Sequence, residues 1–259
     1  MKRKLIIFDL DDTLLDDEHK VSDKTVLVLE RIKEMGHIIA FNTARSEMRS
    51  RDIFLRVKPN YAIYNGGAHI TDGEGKTIFE ATIDKEACNA ILREIAAVTD
   101  RYSVQNSEWF YSANEDYEAP DVKYFDFANN EFPTGAYKII AYSDRPELLD
   151  PIAEKYNLSS VTYFGGPFSR LTGRGVNKAS GSRALADLLG IDMADVLAFG
   201  DDVGDLKMLY EAGIGVLMKN ANPDLVASVD KASILISEYT NHDGGVAMFL
   251  ADYFGIMVD

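Results

Sequence analysis

Four short apolar runs constrain this chain more than any other feature. Leu5-Ile6-Ile7-Phe8, Ile38-Ile39-Ala40-Phe41, Tyr61-Ala62-Ile63-Tyr64 and Val196-Leu197-Ala198-Phe199 contain no charged residue. A strand with one face in water alternates apolar with polar residues. A continuous apolar run needs cover on both faces, which is the condition of a parallel sheet between two layers of helices. Helical segments lie where such cover would come from. Ser22 stands as an N-cap, Val28, Leu29, Ile32 and Met35 follow at helical spacing, and Gly36 stands at the stop. Residues 46–57 predict a second helix, and Ala184, Leu185 and Leu188, closed by Gly190, a third. Ile214-Gly215-Val216, a helix near Pro223, Ile234-Leu235-Ile236 and a last helix after Gly244-Gly245 continue the alternation. The expected fold class is α/β, with a doubly wound, Rossmann-like parallel-sheet core domain.

The texture changes in the middle of the chain. Asn65-Gly66-Gly67 and Asp72-Gly73-Glu74-Gly75 predict turns of a hairpin. Asp84 can cap a helix that puts Cys88, Ile91, Leu92, Ile95 and Val98 on one face. Residues 102–112 and 137–142 predict antiparallel strands, with 113–135 polar and poorly patterned between them; 146–156 predicts a helix and 160–164 a strand. The expected organisation is a core domain from 1–80 and 172–259, interrupted by an inserted α+β cap domain over 81–171.

Composition removes several classes of function. Lys and Arg total 27 against 42 Asp and Glu, a formal charge of −15. Sequence-independent nucleic-acid binding needs a basic face that displaces counterions, so no nucleic-acid partner is expected. The single cysteine, Cys88, permits no intramolecular disulfide and no multi-cysteine metal site. Apolar residues make up 46%, enough for a substantial core and against a disordered chain. Four apolar residues after Met1-Lys2-Arg3-Lys4 are too few for a signal peptide, and no run approaches the ~18 residues of a membrane span. The expectation is a cytoplasmic protein with no membrane partner, as a monomer or homodimer.

In open α/β sheets ligands bind beyond the carboxyl ends of the strands. The first strand ends in Asp9-Leu10-Asp11-Asp12-Thr13, the second in Asn42-Thr43-Ala44-Arg45, and the strand at 196–199 in Gly200-Asp201-Asp202 with Asp205 behind. Lys178 opens the helix before that last strand. The topology therefore gathers carboxylates, a threonine and a lysine at one edge. Carboxylates crowded beside an apolar sheet repel one another, and a divalent cation relieves that cost. Magnesium suits such an all-oxygen site, and no zinc-type His/Cys spacing is present. Thr43 and Lys178 then suit a phosphoryl group, whose oxygens need donors and positive charge.

These segments resemble a known family. Phe8-Asp9-Leu10-Asp11-Asp12-Thr13-Leu14-Leu15 resembles the first motif of the haloacid dehalogenase-like hydrolase superfamily, Asn42-Thr43-Ala44-Arg45 the second, Asn177-Lys178 the third and Gly200-Asp201-Asp202-Val203-Gly204-Asp205 the fourth. Each alone is weak, but the order holds across nearly the whole chain. The 135 residues from Thr43 to Lys178 far exceed the ~30 of a βαβ unit, so an insert must lie between them, as in the Cof-type subclass (IIB) with a large α+β cap. Met218-Lys219-Asn220-Ala221-Asn222-Pro223 and Asp243-Gly244-Gly245-Val246-Ala247 are similar to that subclass too.

The resemblance implies a magnesium-dependent phosphatase of small phosphorylated metabolites, with sugar phosphates the first expectation. It implies Asp9 as nucleophile forming an aspartyl-phosphate, and Asp11 as general acid and base. Magnesium would be held by Asp9, the main-chain carbonyl of Asp11, Asp201 and Asp205. The phosphoryl oxygens would be held by Thr43, the Ala44 amide and Lys178, with Arg45 as a further phosphate-binding candidate. Three positions depart from the family pattern: Asp12 and Ala44 replace commoner glycines, and Gly204 a common asparagine. Two alternatives remain, a phosphomutase of the same superfamily and a phosphate-accepting signalling domain; the latter are about half this length and carry no cap.

Single residues also have plain structural readings. Arg45 reads equally as a surface ion pair, Asp205 as a first-turn charge complementing a helix dipole, Asn220 and Asp243 as caps or turns, and Cys88 as core. The four histidines match no catalytic pattern. Of the aromatic cluster Trp109, Phe110, Tyr111, Tyr117, Tyr124 and Phe125, most members are expected in a core, leaving a few to stack on a sugar or base. Arg170 and Arg174 read as contacts to a second anionic group or as hinge ion pairs.

Overall fold

The structure, a computed structural model, describes residues 2–257 apart from 108, 118, 120 and 163–167. In chain order the strands are β1 (Leu5–Phe8), β2 (Ile38–Asn42), β3 (Tyr61–Tyr64), β4 (His69–Asp72), β5 (Thr77–Glu80), β6 (Tyr102–Gln105), β7 (Phe110–Ser112), β8 (Val122–Tyr124), β9 (Lys138–Tyr142), β10 (Leu158–Thr162), β11 (Phe168–Gly173), β12 (Val196–Gly200), β13 (Ile214–Leu217) and β14 (Ile234–Ile236). The α-helices are α1 (Asp23–Glu34), α2 (Glu47–Val57), α3 (Lys85–Ala96), α4 (Asp150–Lys155), α5 (Lys178–Leu189), α6 (Val203–Glu211), α7 (Pro223–Ser228) and α8 (Gly245–Phe254). They divide into two units: residues to Arg45, Ser50–Phe79 and from Asn177 onward form one, Ser46–Arg49 and Glu80–Val176 the other.

The first unit is the doubly wound domain. Among the described residues its sheet runs β14-β13-β12-β1-β2-β3-β4-β5. Strands from β14 to β3 pair in parallel, and β4 returns antiparallel to β3. The apolar runs owe their continuity to burial on both faces. Ile6 and Phe8 of β1 pack into one cluster with Leu29 and Leu250, while Leu5 and Ile7 pack into another with Leu185 and Leu209. Each such side chain contributes about 1.5–3 kcal/mol by leaving water. The local signals act as expected: the Thr25 amide donates to Ser22 Oγ at 3.1 Å, and Gly36 takes φ 87°. Among the described residues no helix is long and apolar enough to cross a membrane.

The second unit is α+β. Its six-stranded sheet runs β10-β11-β9-β6-β7-β8, antiparallel except for the parallel pair β7 and β8. Asp84 caps α3 by accepting from the Ala87 amide at 2.8 Å, and Cys88, Ile91 and Ile95 pack with Ile139, Ala141 and Leu171 of the sheet. Burial pushes the Cys88 thiol up to about 12, so it is a core side chain without thiolate chemistry.

Some elements differ from the sequence expectation. The segment 102–112 is two strands, because Asn106 turns the chain: its Oδ1 accepts from the Trp109 amide at 2.9 Å. β8 lies within the unpatterned stretch; it has three residues, two of them exposed, so no alternation marks it. The helix expected over 146–156 begins with a 3-10 turn, Pro146–Leu148, and is α-helical from Asp150. The strand expected over 160–164 is observed from Leu158, and 163–164 lie outside the described residues. The expected boundary at 171/172 falls inside β11, which runs to Gly173.

Candidate active site

The site is assembled within the first unit from the carboxyl ends of β1, β2 and β12 and the amino ends of α5 and α6. The Asp9 amide donates to Phe199 O at 3.1 Å, which extends the β1–β12 pairing by one residue and delivers the Asp9 side chain to the sheet edge. Leu10–Leu14 then fold into a tight turn of π-helical type, closed by the Leu15 amide on Leu10 O at 2.9 Å. Leu10, Thr13 and Leu14 are buried in that turn. Asp12 sits at its crest with φ 55°, a left-handed conformation that glycine adopts more cheaply. That geometry explains why a glycine is the commoner residue there.

Lys178 is the first residue of α5, and its position is fixed from beneath. Asn42, the last residue of β2, donates from Nδ2 to Lys178 O at 2.7 Å and to Ser182 Oγ at 2.9 Å. Asn177 and Ser180 close a reciprocal capping box at the same helix end. The Lys178 ammonium lies 2.8 Å from Asp9 Oδ1 and 2.7 Å from Asp205 Oδ1. Asp205 is fully buried, and its other oxygen accepts from the Asp201 and Asp202 amides, each at 3.2 Å. Gly200 makes this loop possible: a Cβ there would stand 2.4 Å from the Asp205 carboxyl carbon. Thr13 Oγ1 donates to Asp201 Oδ1 at 2.7 Å and so ties the β1 turn to the β12 loop.

One oxygen each from Asp9, Asp201 and Asp205 lie within 4.8 Å of one another. Three carboxylates thus face one ammonium in a largely buried volume. Burial, with repulsion from Asp205, pushes Asp9 up to about 8 despite the neighbouring lysine. Burial also pushes Asp201 up to about 7, with the Thr13 hydrogen bond opposing it and Asp205 adding to it. Burial alone would lower the Lys178 ammonium; its two carboxylate partners outweigh that and hold it above the ordinary lysine value. With all three carboxylates ionised the cluster is two positive charges short of neutrality, and its acidic donors are all hard oxygens. That set fits a small divalent cation such as magnesium.

The remaining expected residues occupy a second arrangement. Thr43 is fully buried beyond β2; its amide donates to Ile63 O at 2.9 Å, and its hydroxyl accepts from the Arg45 amide at 3.1 Å. Ala44 is exposed on the same loop. Arg45 and Asp11 form a two-pronged ion pair, with Nε to Oδ2 at 2.8 Å and Nη2 bonded to Oδ1. The Asp11 carboxylate is therefore not in the three-carboxylate group. His19, which the sequence gave no role, puts Nδ1 3.7 Å from Asp11 Oδ1. Asn220 donates to Asp12 O at 2.7 Å and accepts from the Asn241 amide at 2.9 Å, bracing the β1 turn from the other side. Sequence reasoning gave Thr13 and Asn42 no separate role, although both stand inside the motifs that carried the resemblance. Nothing lies within 4 Å of a Cβ built on Gly204, so that departure disturbs no packing.

A doubly wound sheet that gathers an aspartate, an ammonium and further carboxylates beyond its carboxyl edge has the usual placement of a ligand site in an open α/β fold. The family model for haloacid dehalogenase-like hydrolases matches residues 6–250. Phosphatase YwpJ of Bacillus subtilis (strain 168) is 29% identical over 284 residues, covering 94% of this chain and 97% of its own. The 5-amino-6-(5-phospho-D-ribitylamino)uracil phosphatase YitU of the same strain is 26% identical over 278 residues, covering 98% and 99%. Among solved structures, a subclass IIB sugar phosphatase has a TM-score of 0.73 at 21% identity, over 98% of this chain and 100% of that one. The chain belongs to the haloacid dehalogenase-like hydrolase family. Its fold, the α+β insert included, is shared with that subclass IIB sugar phosphatase.

Proposed function

We propose that this chain is a magnesium-dependent phosphatase that hydrolyses a phosphomonoester of a small metabolite, of the sugar-phosphate kind, through an aspartyl-phosphate. One observation carries the reading: a buried aspartate at the end of β1 whose carboxylate is held 2.8 Å from Lys178. In the first step an Asp9 oxygen attacks phosphorus, the ester P–O bond breaks, and the departing alkoxide takes a proton from Asp11. In the second, Asp11 takes a proton from water, whose oxygen attacks the same phosphorus and releases inorganic phosphate with Asp9 restored. Lys178, the Thr43 hydroxyl and the Ala44 amide receive the phosphoryl oxygens. Asp9, Asp201 and the main-chain carbonyl of Asp11 would hold the metal, with Asp205 supporting them and Lys178; the ion would supply charge neutralisation for the phosphoryl group. Because Arg45 occupies both Asp11 oxygens, proton transfer requires that ion pair to open.

The relatives' names support small phosphorylated metabolites as the substrate class, one naming a phospho-D-ribitylamino uracil and another a sugar phosphatase. The test is acid-quenched single turnover with a ³²P-labelled sugar phosphate and magnesium. Label on the protein, lost in Asp9→Asn and accumulating in Asp11→Asn, is the expected result. Protein that never carries label refutes the nucleophile. Label returned to another hydroxyl of the sugar makes the enzyme a mutase instead.

A further inference from the structure

The turn that joins β3 to β4 within the first unit is more constrained than a hairpin requires. Asn65, Gly66 and Gly67 take φ of 55°, 67° and 108°, three left-handed residues in succession. The commonest hairpin turns need at most two. Asparagine usually reaches this conformation with help from a bond between its side chain and nearby backbone. Asn65 is 2% exposed, and its Oδ1 has no hydrogen-bond partner among the described residues. Strain that a segment does not relieve internally is held by what surrounds it, and such positions concentrate at functional sites.

Two neighbours hold this turn, and both carry groups of the proposed reaction. One is the loop Thr43–Arg45. Three main-chain bonds of 2.9 Å fasten it to residues 63–66: the Thr43 amide donates to Ile63 O, the Gly66 amide to Thr43 O, and the Asn65 amide to Arg45 O. The other is the amino end of α5, whose first residue is Lys178. A Cβ on Gly67 would collide with Asn177 O, and one on Gly181 would stand 2.7 Å from Gly67 Cα. The turn and the helix therefore meet backbone to backbone.

The bond to Thr43 O also has a direction. Among the described residues no peptide is cis. A trans peptide points its carbonyl oxygen and its amide hydrogen to opposite sides. Fixing Thr43 O on Gly66 therefore turns the Ala44 N–H to the side of the loop away from the turn. The Arg45 amide donates to Thr43 Oγ1 at 3.1 Å, so the hydroxyl serves there as acceptor and keeps its proton for donation.

We propose that the Asn65-Gly66-Gly67 turn is a positioning element, a spacer that sets the Ala44 amide and the Thr43 hydroxyl at a fixed separation from the Lys178 ammonium. The separation suits a phosphoryl group in flight between oxygens, so the spacer acts on the transition state more than on substrate binding. That functional half rests on the phosphatase reading above; the mechanical coupling of loop to helix does not.

Two crowding variants and a control test it in the whole protein. Gly67→Ala drives a methyl group against Asn177 O. Gly181→Ala presses on the turn from the helix side, at a helical position where alanine is intrinsically favoured, and so guards against a failure to fold. Gly36→Ala carries comparable left-handed strain at φ 87°, with nothing within 4 Å of the new methyl group. With p-nitrophenyl phosphate and magnesium, either crowding variant should lower kcat about 10–100-fold, the scale of a small misplacement of catalytic donors. Orthovanadate, a mimic of the phosphoryl group in transfer, should lose about tenfold more affinity than inorganic phosphate does. A smaller folded fraction would lower kcat too, but would leave that ratio of inhibition constants unchanged. Gly36→Ala should alter neither kcat nor the ratio. A ratio equal to wild type in both crowding variants overturns the functional half. Amide hydrogen exchange read by mass spectrometry needs no turnover. Segments 42–45 and 177–181 should exchange faster together in the crowding variants and not in Gly36→Ala. Faster exchange confined to 64–68 overturns the coupling. Coupled loosening in a protein that hydrolyses no phosphoester refutes the phosphatase reading and leaves the coupling standing.

Discussion

Asp9 and Asp11 are two residues apart, yet the fold gives them unlike surroundings. Asp9 is buried beside Lys178, whereas Asp11 is partly exposed and paired with Arg45. In the proposed mechanism Asp9 attacks as a carboxylate while Asp11 exchanges protons with substrate and water; burial by itself favours protonated Asp9, and the Lys178 ammonium opposes that. Asp9→Asn is expected to lower p-nitrophenyl phosphate turnover by more than about 10³-fold, and Asp11→Asn by about 10²–10⁴-fold, with far-UV circular dichroism unchanged in both. Gly200 belongs to the same scale. Gly200→Ala places a methyl group against the Asp205 carboxyl, and Asp205 holds Lys178. The variant is expected to lose both thermal stability and turnover. A normal melting temperature with full activity would show that the loop yields without disturbing the lysine.

At the scale of elements, the ends of helices do most of the placing. The amino end of α5 is held by its own capping box and by Asn42 at the end of β2, so the lysine is positioned by a strand more than a hundred residues earlier in the chain. Asn42→Ala leaves Lys178 O and Ser182 Oγ without that donor and is expected to cost about 1–3 kcal/mol in urea unfolding, with kcat falling as α5 loosens. On β9, burial and then the Arg170 charge push the Lys138 ammonium down to about 7. The unfolded chain holds that proton up to the ordinary lysine value. Between those limits it binds more protons than the folded chain, so this residue makes stability rise with pH from about 7 towards 10.5. Lys138→Met is expected to flatten that rise, measured by urea midpoints at pH 6.5 and 9.5; an unchanged slope would mean that Lys138 stays charged in the folded protein.

Elements also differ in how plainly they were written. β1, β2, β3 and β12 were legible because burial on both faces leaves nothing but apolar residues in them. β8 was not, because three residues at a sheet edge carry too little pattern to distinguish a strand from a loop. The split of β6 from β7 depends on one side chain, Asn106, folding back onto the backbone three residues on.

At the scale of the whole molecule, a divalent cation at the three-carboxylate cluster would tie stability to its own binding. A cation that binds only the folded chain stabilises it by RT ln(1 + [L]/Kd), about 2.7 kcal/mol at a hundredfold excess over Kd. Magnesium is therefore expected to raise the melting temperature, and Asp201→Ala to abolish most of that rise. An identical magnesium response in the variant would remove Asp201 from the metal site. The formal charge of −15 does not oppose an anionic substrate at contact, since fields beyond about 8 Å are screened at physiological salt.

The sequence by itself determined the fold class and the winding of the sheet. Those follow from apolar continuity and strand order, which are properties of segments. Only the tertiary structure decided that Arg45 closes on Asp11 and that Asp205 serves Lys178 and two backbone amides together. Those outcomes turn on distances of a few ångströms between side chains far apart in the chain, and such distances exist only once both faces of the sheets are packed.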